Sequence, residues 1–234
     1  MSSPPKIDFP QNQILAGLPE NELENLIPHF ETISPDLRTV LYEAGGAINY
    51  AYFPQEAVIS LVAVLTDGKS IEVGLIGSEG ILGMDGLCGG KTSPNVAIIQ
   101  SGGTCLKIKL EILQAEFKRR PLLQQRLLSF SRQLLIQTAQ TAACNRVHQL
   151  KQRLSRWLLM FHDRVRKDQF LLTHEFLSHM LGAPRSEVTL AAGLLRDQRL
   201  IHYSAGKISI VDRNGLESTA CECYEVVRRE SRPS

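Results

Sequence analysis

The residues best suited to a chemistry lie between Phe170 and Asp212. Arg185, Ser186 and Thr189 share the exposed N-terminal face of a helix predicted from Pro184 or Arg185 to about Asp197. Arginine can hold guanine through two hydrogen bonds, and serine or threonine can contact bases or phosphate. Glu187, in the same turn, could accept from cytosine or simply lie exposed. Lys207 opens a short strand further on, where it can touch a backbone phosphate.

Those side chains need a frame. Thr173 is a predicted N-cap, with Glu175 in the turn that follows. Phe176, Leu177, Met180 and Leu181 fit two to three helical turns. Gly182 then supplies the left-handed residue that a tight helix-to-helix turn requires. The second helix turns Val188, Ala191, Ala192 and Leu195 inward. This is the pattern of a helix-turn-helix, whose second helix enters the DNA major groove. Leu200–Tyr203 and Lys207–Val211 read as two strands joined by Ser204-Ala205-Gly206, a two-stranded wing.

Catalysis finds no such frame. No nucleophile–base–orienter set, phosphate-binding glycine loop or paired-carboxylate motif is present, so no catalytic residue is expected. Cys221-Glu222-Cys223 invites a metal reading. One intervening residue makes an awkward chelate, and His174, His179 and His202 are the histidines at hand in the same stretch. The expectation is no metal, with partly buried thiols in a C-terminal helix. Five widely scattered cysteines do not suggest a disulfide framework.

Charge segregates along the 234 residues. Residues 1–148 hold 12 Lys+Arg against 14 Asp+Glu, whereas residues 149–216 hold 11 against 6. The net of +5 falls on the helix-turn-helix and its approach, as phosphate contact requires. No run of about 18 apolar residues suggests a membrane span, and Met1–Lys6 has no apolar core of a secretory signal. A cytoplasmic protein without membrane contact is expected.

Ahead of this segment, a helical lead-in (Leu18–Phe30) gives way to short β-rich runs with glycine punctuation from Arg38 to Leu110. Asp67-Gly68 between two such runs marks a hairpin. From Pro121 to about Arg146 neither Pro nor Gly recurs, which predicts one helix of about 39 Å. Its stripe thins to Ala139, Thr141, Ala142 and Ala143, suited to close packing on a twin helix. A further helix follows from Val147 to about Val165. Its apolar face is Leu150, Leu154, Trp157, Leu158 and Phe161, with Lys151, Arg153, Arg156 and Arg164 on the rest.

In this order of parts the chain resembles the cyclic AMP receptor / fumarate-nitrate reductase regulator (Crp/Fnr) superfamily of bacterial transcription factors. The likeness is carried by Tyr52-Phe53-Pro54, Val58–Leu61, Asp67-Gly68, Glu72–Gly74, Gly77–Gly83, Arg153–Leu159 and Asp163–Val165. It implies an α+β fold: an N-terminal double-stranded β-helix (a cyclic-nucleotide-binding-like jelly roll), a long central dimerisation helix and a C-terminal winged helix-turn-helix. The corresponding divisions are a sensor at 12–120, the dimerisation helix at 121–146, the DNA-binding domain at 147–224 and a tail at 225–234. The resemblance also implies a homodimer on a palindromic operator, and it allows RNA polymerase as a partner.

Members that bind cyclic AMP carry a Gly-Glu pair and, about ten residues later, an arginine for the phosphate. Here Gly83 is followed by Met84, and Pro94 stands where that arginine would be. An anion without such a donor would be costly to enclose, so cyclic nucleotide is not expected. Lys91 and Asn95, with Gly83 and Met84, remain the candidate effector pocket. No cysteine precedes Cys88 to build an N-terminal iron–sulfur cluster, and residues 31–147 hold no histidine for haem, leaving His29. No cofactor is expected. An apolar ligand or redox input stays open for the β-roll. The competing readings are a cyclic-nucleotide-responsive regulator with a non-standard pocket, a cyclic-nucleotide-regulated enzyme subunit or scaffold, and a winged-helix protein-interaction module.

Overall fold

The computed structural model describes residues 11–204 and 206–231. Met1–Lys6, Ala205 of the wing turn and residues 232–234 of the tail lie outside the described residues. The chain forms two compact units: residues up to Leu61 with Ile76–Arg132, and Val62–Leu75 with Gln133 onward.

The first unit opens with α1 (Gln13–Ala16) and α2 (Glu20–Leu26), followed by a 3-10 turn at Ile27–His29. Asn12 caps α1, and its buried amide also donates to Pro54 O (3.0 Å) and Gly80 O (2.8 Å). The strands are β1 (Glu31–Ile33), β2 (Val40–Tyr42), β3 (Tyr50–Pro54), β4 (Val58–Val64), β5 (Ser70–Ile76), β6 (Val96–Ser101) and β7 (Cys105–Lys109). A short α3 (Met84–Leu87) precedes β6, and α4 (Leu110–Arg119) follows β7. Two sheets result, ordered β1-β7-β3 and β2-β6-β4-β5, in a jelly-roll-like arrangement. Phe53, Ile59, Ile81, Ile99 and Ile108 are buried. Beyond the expected strands, β1 pairs Glu31 with Lys107, and α4 occupies a stretch given no element above.

α5 (Pro121–Val147) matches the expected long helix. Its first turns bury Leu123, Leu127 and Phe130. The Phe130 ring lies directly where a Cβ on Gly80 would sit, so this close approach needs glycine there. β4 carries the chain into the second unit, and β5 belongs largely to it.

In the second unit, α6 (Leu150–Val165) starts with a Gln149/Gln152 capping box and ends on Arg166 in the left-handed region. Then come β8 (Gln169–Leu171), α7 (His174–Leu181), α8 (Arg185–Asp197), β9 (Ile201–Ser204), β10 (Lys207–Ile210), α9 (Arg213–Thr219) and α10 (Cys223–Glu230). Three departures from expectation stand out. The wing has three strands, ordered β8-β10-β9, because Gln169–Leu171 pairs with Lys207–Ser209. Arg156, placed above with the outward basic residues, is 4% exposed. Residues 225–230, read as tail, belong to α10, which buries Tyr224 and Val227. Arg213 anchors this end through Asp163 (2.6 Å), Glu217 (3.0 Å) and the Tyr224 hydroxyl (2.7 Å). Among the described residues no helix is long and apolar enough to cross a membrane.

Candidate nucleic-acid interface

Local chemistry sets each part of this surface. The Thr173 hydroxyl oxygen accepts from Phe176 N (3.1 Å), capping α7. Gly182 closes α7 at φ +56°, and the chain turns directly into α8. Val188, Ala191, Ala192 and Leu195 are buried, so the opposite face of α8 points outward.

That outward face carries Arg185, Ser186 and Thr189, all exposed. The Arg185 guanidinium has no ion-pair partner among the described residues. Pro184 at the N-cap offers no side-chain acceptor, so the first amides of α8 are free to meet an anion. Lys207 is exposed on β10. Gly206 brings the wing against Thr173, whose Cγ2 lies 3.6 Å from where a glycine Cβ would project.

Thr189, exposed on this face, also bonds within the fold. Its hydroxyl donates to Arg185 O (2.9 Å), so the proton of the 3.0 Å contact with His174 Nδ1 comes from the histidine. The His174 ring stacks on Tyr203 of the wing, with centroids 4.1 Å apart. One histidine thereby joins α7, the recognition helix and the wing. Burial, then the nearby Arg185 charge, pushes the His174 pKa down, which favours the neutral ring. Sequence reasoning missed this link, since His174 gave no signal beyond following a cap. It also missed Leu190, 67% exposed one turn after Ser186, where an apolar side chain can meet a thymine methyl.

The effector residues do not converge in the same way. Gly83 and Met84 are buried at the start of α3, with Ala51 and the Tyr42 hydroxyl against Gly83. Lys91 is exposed, and its carbonyl accepts from Ile48 N (3.1 Å). Asn95 is half-buried, and its carbonyl accepts from Ser93 Oγ (2.7 Å). A half-open cavity of about 330 Å³ in this unit is lined by Ile48, Asn49, Tyr50, Lys109, Leu110 and neighbours, and by none of these four.

Residues 152–219 match the family described as a Crp-like helix-turn-helix domain. The fold is similar to that of FixK2 from Bradyrhizobium japonicum, at 15% identity and TM-score 0.70, over 82% of this chain and 98% of that one. It is also similar to a CRP/FNR-family transcriptional regulator from Thermus thermophilus, at 24% identity and TM-score 0.67, over 81% and 98%. Residues 152–219 thus carry a Crp-like helix-turn-helix domain, within a chain whose fold is that of these regulators. A third structure of similar fold is CLP of Xanthomonas campestris, described as a c-di-GMP responsive global regulator, at 17% identity and TM-score 0.66, over 82% and 99%. A search among curated proteins finds no match to the chain.

Proposed function

We propose that this Crp/Fnr-type chain is a sequence-specific DNA-binding transcription regulator. It acts in the cytoplasm, by binding rather than catalysis. The observation that carries this reading is the outward face of α8, with an unpaired exposed Arg185 beside uncapped helix amides. Arg185, Ser186 and Leu190 read base edges, and Thr189 holds the N-terminal turn of α8. Thr173 and Lys207 contact phosphate.

The reader works as a homodimer through residues 121–146. Leu128 and Leu135, 49% and 69% exposed, continue into exposed Ala139, Ala142 and Ala143 along one side of α5, and a twin helix would cover them. Two-fold symmetry then calls for half-sites about one helical turn, roughly 34 Å, apart. RNA polymerase is the further partner consistent with this role.

The β-roll, residues 12–120, takes the signal. Gly83, Met84, Lys91 and Asn95 mark its candidate pocket, and Met84 and Pro94 make cyclic AMP an unsuited ligand. The route outward is the β4–β5 hairpin, whose second strand hydrogen-bonds to α5 and α6 (Leu75 N to Gln137 Oε1, 2.8 Å).

The test is selection of binding sites from random duplex DNA by the full chain, followed by gel shifts with Arg185→Ala. A palindromic consensus should emerge. The variant, still dimeric, should lose roughly 5- to 150-fold in affinity with relaxed preference at one position per half-site. Absence of any enriched sequence would instead favour a protein-interaction module.

A further inference from the structure

Three of the five cysteines meet in one place. Cys144 lies in the last turns of α5, and Cys221 and Cys223 flank the start of α10; all three are buried. His148 sits one helical turn after Cys144, its amide still bonded to Cys144 O (3.1 Å). One ligand atom from each of these four residues lies within 4.8 Å of all the others. Cys144 Sγ is 3.5 Å from Cys221 Sγ, and Cys223 Sγ is 3.5 Å from His148 Nδ1. A tetrahedral zinc ion, with bonds of about 2.3 Å to sulfur and about 2.0 Å to nitrogen, keeps its ligand atoms roughly 3.5–3.8 Å apart. The cluster has the dimensions for one ion.

Its surroundings point to a metal rather than to packed thiols. His148 Nε2 lies 3.3 Å from Glu222 Oε2. A proton held on Nε2 leaves the Nδ1 lone pair facing the sulfurs, as in the carboxylate–histidine–metal pattern. Gln140 Nε2 donates to Cys223 Sγ (3.1 Å), a bond suited to a thiolate. Arg156 is 4% exposed, its Nη1 donates to Thr141 Oγ1 (3.1 Å), and its Nε has no partner. It forms no ion pair among the described residues. A buried cation needs an opposite charge nearby. Three thiolates around a divalent ion supply a net charge of about −1 there.

We propose that Cys144, His148, Cys221 and Cys223 bind one zinc ion as a closed Cys3His site. Four protein ligands leave no open position, so the ion is structural. It staples the end of α5 to the α9–α10 end of the DNA-binding half. Binding forms three Zn–S bonds and one Zn–N bond, and each cysteine thiol releases its proton to solvent, with no change of oxidation state. His174, His179 and His202, the histidines weighed from sequence, take no part.

The test titrates the reduced, chelator-stripped full chain with cobalt(II), then measures bound zinc by elemental analysis. One equivalent of cobalt should give the strong visible bands of a tetrahedral ion and sulfur-to-cobalt charge transfer, and zinc should displace it stoichiometrically. Cys223→Ser should abolish this signature, whereas Cys88→Ser, which changes an exposed cysteine elsewhere, should leave it intact. Glu222→Gln, conservative and exposed, should weaken affinity about 10- to 100-fold without unfolding the chain. Three results would each overturn the site: no tetrahedral signal from the wild-type protein, equal loss in Cys88→Ser, or undiminished affinity in Glu222→Gln. Recovery of the same cysteines as a Cys144–Cys221 disulfide in protein that takes up no metal after reduction would also overturn it.

Discussion

The indole Nε1 of Trp157 donates to Glu72 Oε1 across 2.8 Å, with both side chains buried. Glu72 lies on β5, a sheet edge, and Trp157 on the helix that leads into the helix-turn-helix. Gln137 extends the contact by accepting from Leu75 N (2.8 Å) and donating to Leu75 O (3.1 Å), much as a neighbouring strand would. Thr138 Oγ1 donates to Val73 O (3.1 Å). The free edge of β5 is thus closed by side chains of α5 and α6.

Trp157→Phe keeps most of the apolar bulk and removes one donor from a buried carboxylate. The expected cost is about 1–3 kcal/mol, read as a lower urea midpoint by circular dichroism. An unchanged midpoint would show that the hairpin attachment does not depend on this bond.

Lys207→Ala should behave unlike Arg185→Ala. A phosphate contact carries no sequence information, so affinity should fall evenly across operators and the slope of log K against log salt should shrink by about one. Fluorescence anisotropy at several salt concentrations measures both.

Gly182→Ala should destabilise the helix-turn-helix. The left-handed backbone at φ +56° costs a residue with a side chain roughly 1–2 kcal/mol, and the added Cβ would lie 2.7 Å from Ile71 Cδ1. Thermal unfolding would report the loss; an unchanged midpoint would mean the turn relaxes freely.

His174 should make stability sensitive to acid. Its pKa in the fold lies below the ordinary 6.5, so the unfolded chain takes up a proton there first. The stabilisation is present above pH 6.5 and is lost as pH falls from 6.5 through the lower folded value. His174→Gln should show a smaller fall in melting temperature between neutral pH and about pH 5.5. An identical fall in both proteins would assign the acid sensitivity to other groups.

Much of the reader was legible in the residues because its cues are local. The Thr173 cap, the Gly182 turn and the inward spacing of Val188, Ala191, Ala192 and Leu195 each act within one or two helical turns. The bounds of the long helix followed from Pro121 and the uninterrupted run behind it. The three-residue strands β1 and β8 escaped notice because so short a segment has no period of its own, and pairing to distant strands defines it. Arg156 was misplaced because helical spacing says which residues share a face, not which faces a neighbouring element covers.

By itself, then, the sequence determined the order of parts, the helix-turn-helix and the basic balance of residues 149–216, since near-neighbour sterics and side-chain type govern these. Tertiary structure alone decided what meets across long separations. It set Trp157 against Glu72, 85 residues away, and Cys144 against Cys221, 77 residues away. It also occupied the Thr189 hydroxyl with Arg185 and His174. Such pairs have no signature in spacing, because chain separation carries no information about the burial that brings two side chains together.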